Sequence, residues 1–273
     1  MPGTAISQSC RAQDSPRIML NVTEAIFIGI DLAWRGEDHL SGGAVLKGNR
    51  KRAQLVDVTG SLVSGGLLQY VKEHDSGTTF VAIDAPLIIS NPEGQRRCET
   101  LVGNCYGGRH ASCHTSNLSL YPQAASVTLA SQLIKLGFRH APLARSEDQR
   151  VMLEVYPHPA LLELFALPSI LRHKKGNVAT RRGGQRELQK MLSELSRFAP
   201  PLERTPRLSG FLATNTNALR GTALKSSEDA LDALLCAYIA YYYWFWGLAR
   251  TRLFGDPNSG YILVPTCTQQ SAS

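Results

Sequence analysis

AIFIGID at Ala25 to Asp31 and TTFVAID at Thr78 to Asp84 each run through apolar residues and stop on an aspartate. The pattern predicts two strands that carry a carboxylate to the rim of a parallel sheet, where neighbouring strand ends converge and ligands bind. Two other acidic stretches fit the same rim. VMLEVYPHP at Val151 to Pro159 holds Glu154 in a third apolar run. EDALDALLCA at Glu228 to Ala237 sets Asp229 and Asp232 three residues apart, on one side of a helix.

Outward from these points the pattern is β-rich at first. Ala25 to Asp31, Gly42 to Lys47 and Ala53 to Val58 are short runs rich in Val, Ile, Leu or Ala, separated by Gly, Asp and Asn, and predict an antiparallel meander. A helix from about Leu62 to His74 then leads to strand Thr79 to Asp84, returning parallel to the first by a right-handed crossover. Further helices are expected near Ala124 to Leu136, Pro159 to Leu167 and Gln185 to Phe198, with a strand at Val151 to Val155 and a long last helix from about Ser227. This order is that of an RNase H-like α/β domain. The expectation is a single domain over residues 25–266, a five-stranded mixed sheet ordered 3-2-1-4-5 and flanked by helices, preceded by a disordered extension (1–24) and followed by a tail (267–273). The main irregular segments are Ala85 to Gln123 and Arg172 to Gly184, and loops of that length usually carry function or move.

At 273 residues, 43% hydrophobic and 19% charged, the chain can bury one substantial core. Its 29 Lys and Arg against 22 Asp and Glu give a net charge of +7, which favours a polyanionic partner. Six scattered cysteines and no secretory leader point to the cytoplasm. Ala233 to Ala249 is uncharged over about the length that a bilayer requires. Its tyrosines and tryptophans need hydrogen-bond partners and two aspartates lie just upstream, so it reads as a buried helix and no membrane is expected.

The acids suggest a chemistry. Phosphodiester hydrolysis by paired Mg2+ or Mn2+ ions needs hard oxygen ligands, with one carboxylate bridging ions about 3.5 to 4 Å apart. Asp31, Asp84, Asp229 and Asp232 are the expected metal ligands, Asp31 as the bridge, with Glu154 as a fifth catalytic acid and His158 to orient water or the leaving group. Asp229 and Asp232 are expected in the first turn of their helix, capped by Ser226 or Ser227, where the helix dipole favours negative charge. Each acid alone has a plainer reading, as a turn former, a capping charge or a strand end; their combination in this element order carries the site.

Arg172 to Arg186 contains seven basic residues and no acid. Lys174, Lys175, Arg181 and Arg182 are therefore expected to contact phosphates from a flexible loop, and Arg96 or Arg97, in the loop leaving Asp84, to meet a phosphate or carboxylate near the site. Cys98, Cys105 and Cys113 in that loop match no standard zinc spacing.

GIDLAW at Gly29 to Trp34, AIDAPL at Ala82 to Leu87, RRCE at Arg96 to Glu99, EVYPHPAL at Glu154 to Leu161, EDALDALLCAY at Glu228 to Tyr238 and GYILVP at Gly260 to Pro265 together resemble the domain-of-unknown-function family DUF429. The resemblance spans about Ile26 to Pro265 and implies a nuclease of RNase H fold. The last helix is also similar to that of RuvC-type Holliday junction resolvases, in that Asp229, Asp232 and Ala233 match two aspartates separated by two residues and followed by alanine. What results is an expected Mg2+ or Mn2+ dependent nuclease acting on DNA or RNA. The alternative is a protein that keeps the fold and binds nucleic acid or nucleotide without cleaving it.

Overall fold

Alternation along the strands decides which side of the sheet each residue covers. In the computed structural model, which describes residues 24–33, 39–145 and 148–266, strand β1 (Ala25–Asp31) is buried throughout. Ala25 and Phe27 enter one core, and Ile26, Ile28 and Ile30 enter another on the opposite face. The expected terminal extension and tail, and Trp34 of GIDLAW, lie outside the described residues, Glu24 excepted.

β2 (Ser41–Gly48) and β3 (Ala53–Leu62) complete an antiparallel meander with β1. α1 (Leu67–His74) connects to β4 (Thr79–Asp84), which lies parallel to β1 in a register that places Asp84 beside Asp31. α2 (Arg97–Tyr106) and α3 (Ala125–Lys135) precede a two-residue strand, β5 (Arg139–His140), and then β6 (Arg150–Glu154). α4 (Pro157–Leu164), α5 (Val178–Glu194), α6 (Pro206–Leu212) and the 26-residue α7 (Gly221–Trp246) follow, and the hairpin β7 (Thr251–Asp256) and β8 (Gly260–Pro265) closes the fold.

The main sheet is six-stranded, ordered β3-β2-β1-β4-β6-β5, not five-stranded. The strand expected fifth is β6, and β5 adds an edge beside it, parallel over only two residues and too short to leave a periodic signal. One face is covered by α4, α5 and α7, the other by α1 and α3, while β7, β8 and α2 build a third, smaller core around Cys98, Tyr106 and Phe254. Four helices differ from expectation, and the first is α1, which begins at Leu67, five residues after Leu62, the residue that ends β3. α2 lies inside the segment expected to be irregular, α5 begins at Val178, seven residues before Gln185, and α7 begins at Gly221, six residues before Ser227.

Among the described residues no helix is long and apolar enough to cross a membrane. The aromatic half of α7 is instead tied to the fold by its polar tips. The hydroxyls of Tyr238, Tyr241 and Tyr242 donate to the carbonyls of Pro200, Asn49 and Thr266, and Trp246 Nε1 to that of Ala199, at 2.8 to 2.9 Å.

α7 lies on the sheet at backbone contact. A Cβ at Gly29 would stand 2.0 Å from the Ala233 carbonyl oxygen, and one at Gly42 equally close to that of Asp229. Gly29→Ala or Gly42→Ala must push the helix away, because neither backbone can yield as a side chain would. Each is expected to lower unfolding free energy by about 3 kcal/mol or more in urea titrations; a change within about 0.5 kcal/mol would mean that the contact is looser than described.

Candidate functional site

Asp31 and Asp84 end adjacent parallel strands in matching register, so by the pleat both side chains leave the sheet on the same face. That is the face covered by α7, whose fourth turn brings Asp232 to them. Their meeting point is an ammonium. Lys174 Nζ lies 2.6 Å from Asp232 Oδ2, 3.0 Å from Asp31 Oδ2 and 3.8 Å from Asp84 Oδ2. Burial opposes the charge on Lys174, but Asp232, Asp31 and Asp84 outweigh it and drive its pKa well above the usual lysine value.

Asp232 is completely buried and held from a second side by His173, whose Nε2 lies 2.9 and 3.1 Å from the two carboxylate oxygens. Burial disfavours its charge, yet His173 and Lys174 prevail and keep its pKa below the usual carboxylate range. Asp84 shows the opposite balance: burial, helped by the neighbouring acids Asp31, Asp232 and Glu154, raises its pKa well above normal despite Lys174. Asp229, one turn before Asp232, pairs with Lys225 four residues earlier, while its Oδ2 is buried with no hydrogen-bond partner. Burial and then the charge of Asp31 push its carboxyl up to about 8, with Lys225 partly offsetting them.

The four aspartates, Lys174 and Lys225 line a cavity of about 1010 Å³, together with Lys175, Tyr156 and His158. His158 is buried, with its ring 5.4 Å from that of His173 and its Nδ1 without a partner. Burial, then the proximity of His173, pushes its pKa down to about 3. It is therefore a neutral imidazole near pH 7 and too weak a base to hold a proton there; it can accept or donate a hydrogen bond in the cavity.

Glu154 is placed differently. It pairs in register with Ile83, one position short of Asp84, so the pleat sends its side chain to the opposite face from Asp31 and Asp84. Arg96 grips it there, Nη1 and Nη2 at 3.0 and 2.6 Å, and the backbone N–H of Leu87 donates to it at 2.8 Å. Arg96 Nε also binds Glu99 at 2.8 Å, and Arg96 is only 3% exposed. Of the two partners expected here, a phosphate or a carboxylate, Arg96 takes the carboxylate, as a buried clamp on the segment that leaves β4, whereas Arg97 is exposed at the start of α2.

The basic stretch is also largely committed within the fold. Arg181 pairs with the buried Glu228 at 2.8 Å, Arg182 donates to the Leu219 carbonyl, and Arg186 Nη1 to Asn217 Oδ1 at 2.6 Å. Residues 178–184 are helix and not loop, while Lys175 and Arg172 remain exposed. Asp229 and Asp232 do not lie in the first turn of α7, and Ser226 and Ser227 do not cap it: the N-cap is Arg220, so helix-dipole stabilisation does not reach these acids. Two partners were not anticipated. Lys225 stands four residues before Asp229, a spacing that marks an ion pair once the helix is started at Gly221, and His173 carries no local signal of its contact with Asp232, 59 residues away.

Among the described residues no three His, Cys, Asp or Glu side chains are placed to hold a metal ion; the carboxylates close on Lys174. A family model described as a protein of unknown function (DUF429) matches residues 29–258. No curated protein and no solved structure matches the chain.

Arg96→Met should lower stability by about 3 to 5 kcal/mol, because Glu154 and Glu99 would keep their burial and lose their counter-charge. A variant as stable as wild type in urea would contradict the buried clamp. For Asp229 the sign runs against high pH. Between about pH 4 and pH 8 the folded state holds a proton that the unfolded state has released, so its contribution to stability falls as pH rises through that window. In EDTA, Asp229→Asn should gain at least about 1 kcal/mol over wild type between these limits; a constant difference would contradict the raised carboxyl.

Proposed function

The chain belongs to the DUF429 family, and we propose that it hydrolyses phosphodiester bonds of nucleic acid with Mg2+ or Mn2+. The observation that carries this reading is the convergence of Asp31, Asp84 and Asp232, from β1, β4 and α7, on one cationic nitrogen, with Asp229 a turn away. Gathering buried like charges works against folding, since each loses water and repels its neighbours. Such a cluster is kept to hold positive charge.

Its chemistry fits these ions. All four candidate ligands are hard carboxylate oxygens, the donors Mg2+ and Mn2+ prefer, and the unpartnered Asp229 Oδ2 is an acceptor that the protein's own cations leave unused. Asp31, Asp84, Asp229 and Asp232 would hold the ions, which supply a lowered pKa to the attacking water and neutralise charge on the leaving oxygen. His173 fixes Asp232 for that task. Lys175 and Lys225 present positive charge at the cavity, where a phosphate backbone would lie, and the neutral His158 can orient water there. Three antiparallel strands followed by parallel β4 and β6, with α7 across one face, support an RNase H-like fold in which β5 is an added edge. Glu154 acts one step away, by holding with Arg96 the segment that follows Asp84.

One observation favours a second reading, a nucleic-acid or nucleotide binding protein that does not cleave: Lys174 already neutralises the carboxylates from within. A panel of labelled DNA and RNA, linear and branched, incubated with Mn2+ or with EDTA separates the two. Cleavage should require Mn2+, and Asp31→Asn or Asp84→Asn should reduce it at least about a hundredfold in folded protein, because the amide keeps the shape and loses the charge. Cleavage at wild-type rates by either variant would sink the assignment, and binding without cleavage across the panel would favour the second reading.

A further inference from the structure

Lys174 Nζ occupies the point on which Asp31, Asp84 and Asp232 converge, and its position is built. The neighbouring His173 is fully buried, bound to Asp232 on one side and packed against α5 on the other, where a Cβ at Gly184 would come within 2.5 Å of the His173 backbone nitrogen. The backbone of this segment is therefore pinned. The Lys174 side chain is not enclosed in the same way: it is 23% exposed and lines the cavity, while Asp232 beside it is 0% exposed. A lysine stem of four carbons can swing its ammonium from the carboxylates into that cavity without moving the pinned backbone.

We propose that Lys174 is an internal counter-ion that a divalent cation displaces, so that the Lys174 ammonium and the ion hold the carboxylates in alternation. This rests on the metal-site reading above. Without an ion, the ammonium offsets the repulsion among Asp31, Asp84 and Asp232 and keeps the rim of the sheet and α7 together. With an ion the same oxygens are occupied, and Lys174 turns into the cavity that it lines. A ligand that must first expel a tethered competitor binds more weakly by the stability of the contact it replaces. The site is thereby set to respond to divalent ions at a higher concentration than four bare carboxylates would.

Two measurements test the exchange without using activity. Mn2+ binding, read from the loss of the free-ion electron paramagnetic resonance signal, should be at least about tenfold tighter for Lys174→Met than for wild type. Lys174→Arg, which keeps the charge, should stay within about threefold of wild type. Lys174→Gln replaces the methionine variant if that fails to fold. In wild type, acetylation by an amine-reactive ester, followed residue by residue by mass spectrometry, should be slower at Lys174 than at Lys175 without metal. Saturating Mn2+ should accelerate labelling of Lys174 at least about fivefold. If wild type and Lys174→Met bind Mn2+ equally, or saturating Mn2+ leaves Lys174 labelling unchanged, the exchange is wrong while the metal site stands. If neither protein binds Mn2+ up to about 10 mM, the metal site and the exchange fall together.

Discussion

The backbone of α7 rests directly on the backbone of the sheet, and the candidate site depends on that contact. Gly29 and Gly42 leave the space that the helix fills at Ala233, Ala237 and Asp229, and Gly60 extends the same seam to Ser226. A helix kept at arm's length by ordinary side chains would hold Asp229 and Asp232 too far from the strand ends to share a cation with Asp31. Packing thus sets the electrostatics: a mixed sheet supplies two aspartates in register, and a close-packed helix adds two more.

The resulting cluster is tolerated because its charges are unequal in fate. Asp232, fully buried, is held ionised by His173 and Lys174, whereas Asp84 and Asp229 are pushed by burial and by neighbouring acids towards their neutral forms. In the exchange proposed above, such a set takes up an ion with little rearrangement of the backbone, the proton on a raised carboxyl and the Lys174 ammonium giving way to it. Arg96 and Glu154 border the same cavity from the other face of the strand ends. Their buried pair ties the chain leaving β4 to the end of β6, which steadies the strand end that carries Asp84.

Much of this was legible in the sequence. An apolar run closed by aspartate is a local pattern, so Asp31, Asp84 and their strands could be read directly, and the three-residue spacing of Asp229 and Asp232 placed them on one helical face. Parity was harder. Glu154 also closes an apolar run, but only the strand register reveals that it pairs with Ile83 and so faces the other way. The start of α7 was hidden because Gly221 to Ser226 lack an apolar stripe and Arg220 is no capping residue. The first turns of α5 looked like loop because of Gly183 and Gly184; the structure shows that Gly184 is needed for close approach to His173, a reason outside local sequence. Ion pairs such as Lys174 with Asp31, 143 residues apart, are products of the fold and leave no spacing to read.

The central claim is that these four aspartates form a cation site. The most direct measurement is anomalous diffraction from crystals grown with Mn2+, with data collected on both sides of the manganese edge. The expected result is an anomalous peak within about 2.3 Å of carboxylate oxygens of Asp31 and at least one of Asp84, Asp229 and Asp232, with the Lys174 side chain turned away from them. An empty map at saturating Mn2+, with Lys174 still seated between Asp31 and Asp232, would contradict it.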